Sequence, residues 1–126
     1  MATVRTSGVV DSEGGWQLEG HDGAGRPVRL WIGETQLAHI YLGVTVGRHA
    51  ALCEVVIDDP SVSRRHFRIG RGSAGLYAED VRSLNGTDLD GAPLLPFAPV
   101  ALADGQTLTL GRVTLTVARR VDRLAI

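Results

Sequence analysis

Three short segments hold the side chains that could do chemistry. They are Gly47-Arg48, Ser61-Val62-Ser63-Arg64-Arg65-His66 and Ser83-Leu84-Asn85-Gly86-Thr87. Each lies where strand-like sequence gives way to a turn. Together they offer an obligate cation, a hydroxyl and a side-chain amide. The Arg48 guanidinium stays charged at any working pH and can grip two phosphate oxygens, a bond of about 1.5–3 kcal/mol. The Ser63 hydroxyl can donate to a third oxygen, or it can cap its own turn. The Asn85 amide carries a donor and an acceptor and can bond a peptide backbone. Its plainer reading is an Asn-Gly turn, with Gly86 supplying a positive φ. The set suits an anion attached to a peptide: a phosphorylated side chain with its flanking chain.

These segments need turns held by short strands, and the composition agrees. The chain has 126 residues, enough for one domain, and 44% are hydrophobic. Glycine, at 16 residues, is about 13% against an average near 7%, which favours tight turns. The net charge of −1 argues against a general nucleic-acid binder. All 13 basic residues are arginine. The single Cys53 has no intramolecular disulfide partner and sits in an apolar run, where a small buried side chain is expected. Met1 to Gly15 lacks the apolar run of a secretion signal, and Ala92 to Ala103 is broken by Pro93, Pro96 and Pro99. The expectation is a cytoplasmic protein with no membrane contact.

Strand patterns recur along the chain. Trp16-Gln17-Leu18 and Val28-Arg29-Leu30-Trp31-Ile32 read as a hairpin with a long connection. Ile40 to Val46 reads as a strand, and Ala51 to Ile57 as a short apolar run that a buried strand would explain. His66-Phe67-Arg68-Ile69 and Leu76 to Val81 flank a glycine-rich turn. Thr107-Leu108-Thr109-Leu110 and Val113-Thr114-Leu115-Thr116-Val117 alternate strictly around Gly111-Arg112, as a half-buried hairpin does. Helical periodicity is weak throughout. An antiparallel all-β sandwich or barrel follows.

The ordered series of motifs resembles a forkhead-associated (FHA) domain, a phosphothreonine-binding module. The series runs Gly47-Arg48, Val56-Ile57-Asp58-Asp59, Ser61 to His66, Glu79-Asp80-Val81, Ser83 to Thr87, Asp90-Gly91, Asp104-Gly105-Gln106 and Leu108 to Gly111. The resemblance implies an all-β sandwich of two antiparallel sheets with its binding loops at one end. It also places a domain over residues 15–120; the small, polar residues 1–14 are expected to form a disordered tail, and 121–126 a C-terminal tail. Arg48, Ser63 and Arg64 would bind phosphate, and Asn85 the ligand backbone. Gly47, His66 and Gly86 would shape the loops. No metal, cofactor or nucleic acid is implied, and no catalysis. The partner would be a phosphothreonine protein or peptide, a Ser/Thr kinase or its substrate, in bacterial signalling. Some short bacterial members bind a phosphothreonine of their own tail, which draws attention to Thr3 and Thr6.

Two features complicate that reading. Leu84 stands where many members carry Ser or Thr, which removes one hydroxyl from the phosphate and opens the alternative of a scaffold that binds partners without phosphate. Ser63 and His66 invite a nucleophile reading with Asp58 or Asp59, but they lie three apart in one loop with no nucleophile elbow. Arg65 is expected to point away from Arg64 if the segment is extended. Gly70-Arg71-Gly72-Ser73-Ala74-Gly75 matches dinucleotide-binding spacing, but a strand follows it where that motif needs a helix. His21, His39 and His49 lack metal-ligand spacing.

Overall fold

The computed structural model describes residues 3–4, 14–40 and 42–121. In chain order these residues form β1 (Thr3–Val4), β2 (Gly15–His21), β3 (Pro27–Gly33), α1 (Glu34–His39), β4 (Val44–Gly47), β5 (Val55–Val56) and β6 (Phe67–Gly72). There follow β7 (Gly75–Asp80), β8 (Thr87–Leu89), β9 (Ala92–Pro93), β10 (Val100–Ala101), β11 (Thr107–Leu110) and β12 (Val113–Arg120). They build two sheets, ordered β1-β5-β4-β6-β7-β10 and β3-β2-β12-β11-β8-β9. The pairing is antiparallel except between β4 and β5. The fold is therefore the expected all-β sandwich.

Alternation explains which faces meet. In β11 and β12, Leu108, Leu110, Val113, Leu115 and Val117 are buried while the threonines between them are not. Leu108 pairs with Leu115 and Thr109 with Thr114, so one slipped residue would turn every apolar side chain outward. Leu18, Leu30 and Ile32 join them from the same sheet. Val44, Val46, Phe67, Ile69 and Ala78 face them from the other. Each fully buried aliphatic or aromatic side chain contributes about 1.5–3 kcal/mol.

The structure departs from the sequence expectations in three places. The turn of helix α1 follows β3 directly, and its Leu37 is buried in the core. Glu, Gln, Leu and Ala favour helix locally, but six residues are too few to show a period. The strand expected from Ile40 begins only at Val44, because Ile40 caps the helix and Gly43 turns with φ +92. Of the run Ala51 to Ile57, only Val55–Val56 pairs as a strand; His49 to Leu52 makes a turn, closed by the Leu52 amide on the His49 carbonyl at 3.0 Å.

Of the expected tails, β1 pairs with β5, and Gly14 and Val121 are described. Thr6 and the remainder of 1–14 and 121–126 lie outside the described residues. The proline-bearing stretch supplies the edge strands β9 and β10, where a missing N–H costs least.

Candidate functional site

The connections β4–β5, β5–β6 and β7–β8 meet at one end of the sandwich, and the three opening segments of the sequence lie on them. The β4–β6 ladder continues past its strand ends. The His66 amide donates to the Val46 carbonyl at 2.9 Å, Arg48 to Ser63 at 2.9 Å and His49 to Arg64 at 3.2 Å. Segment 63–66 is thereby pinned beside 46–49. Gly47 permits this approach, since a Cβ there would strike the Arg64 carbonyl oxygen and carbon. Cys53 is buried, as its apolar setting suggests, and its thiol also donates to the Arg64 carbonyl at 2.9 Å. Burial pushes that thiol's pKa up, so it remains protonated and able to donate.

His66 is fully buried and ties two loops together. Its Nδ1 accepts the Ser63 amide at 3.0 Å, so Nε2 carries the proton and donates to the Gly86 carbonyl at 2.8 Å. Burial lowers its pKa, against opposing contributions from the Gly86 bond and the Asp80 charge. Both ring nitrogens are thus engaged by backbone. Neither is left to activate the Ser63 hydroxyl, as a nucleophile–base pair requires.

A groove of about 550 Å³ opens over these loops, lined by Arg48, Ser63, Arg64, Arg82, Leu84 and Asn85 among others. The Arg48 Nε donates to the Val62 carbonyl at 2.9 Å, and among the described residues Arg48 forms no ion pair. Its terminal nitrogens remain for a ligand. The Ser63 hydroxyl accepts the Leu84 amide at 2.9 Å rather than capping its own turn. Its hydrogen is left to donate. Asn85 donates from Nδ2 to the Ser61 carbonyl at 2.8 Å, which leaves its Oδ1 and second amide hydrogen. Gly86 has φ +80, as expected, but the segment crosses between the sheets rather than closing a hairpin. Leu84 is 89% exposed at the groove rim. Arg65 also lines the groove, because 61–65 is a chain of turns and not the extended segment that would turn it away.

Sequence reasoning missed two carboxylates that hold these loops. Asp80, 2% exposed, accepts the Arg82 and Ser83 amides on Oδ2 at 2.9 and 3.1 Å, and the Ser83 and Thr87 hydroxyls on Oδ1 at 2.6 and 2.7 Å. This grip keeps Arg82 at φ 65, a left-handed conformation that costs an L side chain about 1–2 kcal/mol.

Asp59, 3% exposed, accepts the Ser61 amide and hydroxyl at 2.9 and 2.6 Å and the Gly23 amide of the β2–β3 turn at 3.0 Å. The Ser61 hydroxyl in turn accepts the Arg112 amide of the β11–β12 turn at 2.8 Å. Burial raises the Asp59 pKa, but the bonds from Ser61 and Gly23 and the Arg112 charge outweigh it and bring it below the ordinary carboxylate range. The signal in the sequence is an Asp with a Ser two or three residues on, the pattern of side-chain-capped turns. No group of three or more His, Cys, Asp or Glu side chains among the described residues could hold a metal ion. No described helix is long and apolar enough to cross a membrane.

The model of the FHA domain matches residues 44–111. An FHA domain-containing protein of Arabidopsis thaliana is 37% identical over 71 residues, which are 56% of this chain and 18% of that protein. The chain thus spans under a fifth of that relative's length. Among solved structures, the FHA domain of FhaA, in complex with the intracellular domain of Rv3910, is 28% identical. The match covers 81% of this chain and 98% of that one, with a TM-score of 0.57. An FHA domain of Arabidopsis thaliana is 26% identical, covering 93% and 94%, with a TM-score of 0.63. A third FHA domain, from work on phosphothreonine-dependent FHA interactions, is 28% identical, covering 82% and 95%, with a TM-score of 0.59. With the matched region running from β4 to the β11–β12 turn, and the sandwich shared beyond it, the chain belongs to the FHA domain family.

Proposed function

We propose that this chain is a non-enzymatic phosphothreonine-peptide binding module. The observation that carries the reading is the convergence in one groove of three unspent groups. These are the Arg48 guanidinium, the Ser63 hydroxyl hydrogen and the free half of the Asn85 amide. Arg48, Ser63 and Arg64 bind the phosphate in this reading, and Asn85 binds the ligand backbone. Gly47, His66 and Gly86 shape the loops. Phosphothreonine-dependent interactions of an FHA domain 28% identical to this one support it. The functional unit is residues 15–120, the partner is a Ser/Thr kinase or its substrate, and the setting is cytoplasmic.

Arg48→Ala tests the assignment. The variant should keep its circular dichroism spectrum and lose phosphothreonine-peptide affinity by at least tenfold, from a charge-assisted bond of about 1.5–3 kcal/mol. Unchanged affinity would sink the phosphate pocket.

A second reading is an FHA-fold scaffold that binds partners independently of phosphate. Leu84 favours it: this 89% exposed apolar side chain stands at the groove rim, with Leu52, 42% exposed, among the other lining residues. Equal affinity for phosphorylated and unphosphorylated forms of one peptide would select the scaffold.

A further inference from the structure

The groove carries more positive charge than one phosphate calls for. Arg48, Arg64, Arg65 and Arg82 all line it, and no carboxylate does. Among the described residues none of the four forms an ion pair. Of the acids on the supporting loops, Asp58 is exposed but does not line the groove, while Asp59 and Asp80 are buried and turned to other work. Asp80 holds Arg82, Ser83 and Thr87, and Asp59 holds Gly23 and Ser61. Glu54 accepts the Thr45 amide. A phosphothreonine brings about −1.5 to −2 charges at neutral pH, which leaves roughly two guanidiniums unmatched.

One of these stands on an unusual backbone. Arg82 occupies a left-handed conformation in which Gly, Asn or Asp is at home and a long side chain is not. An arginine whose backbone amide is fixed by a buried carboxylate at a strained position, with its guanidinium left unpaired among the described residues beside a ligand groove, is a placement that packing alone does not require.

We propose that the groove selects a doubly anionic segment, a phosphothreonine with a second negative side chain within one or two residues, and that Arg82 is the residue that reads the second charge. The inference rests on the phosphate reading above. A carboxylate and a second phosphate share the necessary chemistry, since either accepts the planar guanidinium fork.

Three labelled peptides of one sequence separate these cases by fluorescence anisotropy. The first has a phosphothreonine with alanines on both sides, the second has aspartates in those places, and the third has a neighbouring phosphoserine. The aspartate peptide should bind at least about fivefold tighter than the alanine peptide at low salt, and the advantage should shrink as salt screens it. The phosphoserine peptide should bind tighter still if the second anion is a phosphate, and no tighter than the aspartate peptide if it is a carboxylate.

In Arg82→Asn, whose side chain tolerates the left-handed backbone, the acidic-to-neutral ratio should fall to about one. Arg82→Gly serves the same purpose if the Asn variant is unstable. Acidic and neutral peptides within about twofold of each other in the wild-type protein would overturn the proposal, as would a ratio that survives both substitutions. Failure of all three peptides to bind would instead refute the phosphate reading and take this proposal with it.

Discussion

Asp80→Ala is the sharpest test of how the loops are held. The carboxylate accepts four hydrogen bonds and is 2% exposed. Removing it strands the Thr87 hydroxyl, which is 1% exposed, at a cost of about 1–3 kcal/mol. The Arg82 amide and both Ser83 donors lie nearer the surface and recover part of their bonding from water, so each loses about 0.5–1 kcal/mol. The sum is about 2.5–6 kcal/mol, a large part of a typical domain's 5–15 kcal/mol.

Asp80→Asn keeps the shape. Its amide oxygen can face the two backbone N–H groups, and the two hydroxyls can rotate to accept from its nitrogen, so a loss of about 1–2 kcal/mol is expected. Urea unfolding followed by tryptophan fluorescence at pH 7 measures both variants. An Ala variant losing under about 1 kcal/mol, or an Asn variant as damaged as the Ala one, would refute the reasoning.

His66 is neutral in the fold and its pKa lies below the ordinary 6.5. The unfolded chain takes up the proton first, so stability is full above pH 6.5 and falls as pH drops below it, by at most about 1.4 kcal/mol per unit. Urea midpoints between pH 7.5 and 5.5 check this, and His66→Gln should flatten the dependence. Gly47→Ala drives a Cβ into the Arg64 carbonyl and should cost about 1–3 kcal/mol in thermal unfolding, with peptide affinity falling as segment 63–66 shifts. Leu84→Thr restores a hydroxyl at the rim and should tighten phosphothreonine-peptide binding by about two- to tenfold in titration calorimetry.

Most of the sheet framework was legible because alternation is a local signal. The β11–β12 hairpin carries it over four residues before Gly111-Arg112 and five after, and the register follows from which face is apolar. The helix Glu34–His39 was not legible, since one turn and a half repeats too few positions to reveal a period. In Ala51 to Ile57 only Val55–Val56 pairs as a strand, Cys53 and Ile57 are buried from loop positions and Leu52 is exposed, a mixture that composition alone cannot tell from a strand. Arg48, Ser63 and Asn85 stood out by side-chain chemistry. Arg82 did not, because nothing local marks an arginine for positive φ; the cause is Asp80, which takes its amide. Asp59 and Asp80 were quoted among the motif residues, but their work is done by burial and by partners on other loops.

The Asp59–Ser61 pair has a consequence for motion. The amides of Gly23 and Ser61 end on one carboxylate, and that of Arg112 ends on the hydroxyl this carboxylate fixes. These amides belong to turns remote in sequence, yet none can open to solvent without disturbing the acceptor of the others. Their hydrogen exchange is therefore coupled in a single cooperative opening, one small unit of local unfolding at the mouth of the sandwich. Ser61 also carries the carbonyl that holds Asn85, so a ligand that steadies Asn85 slows exchange in turns it never touches.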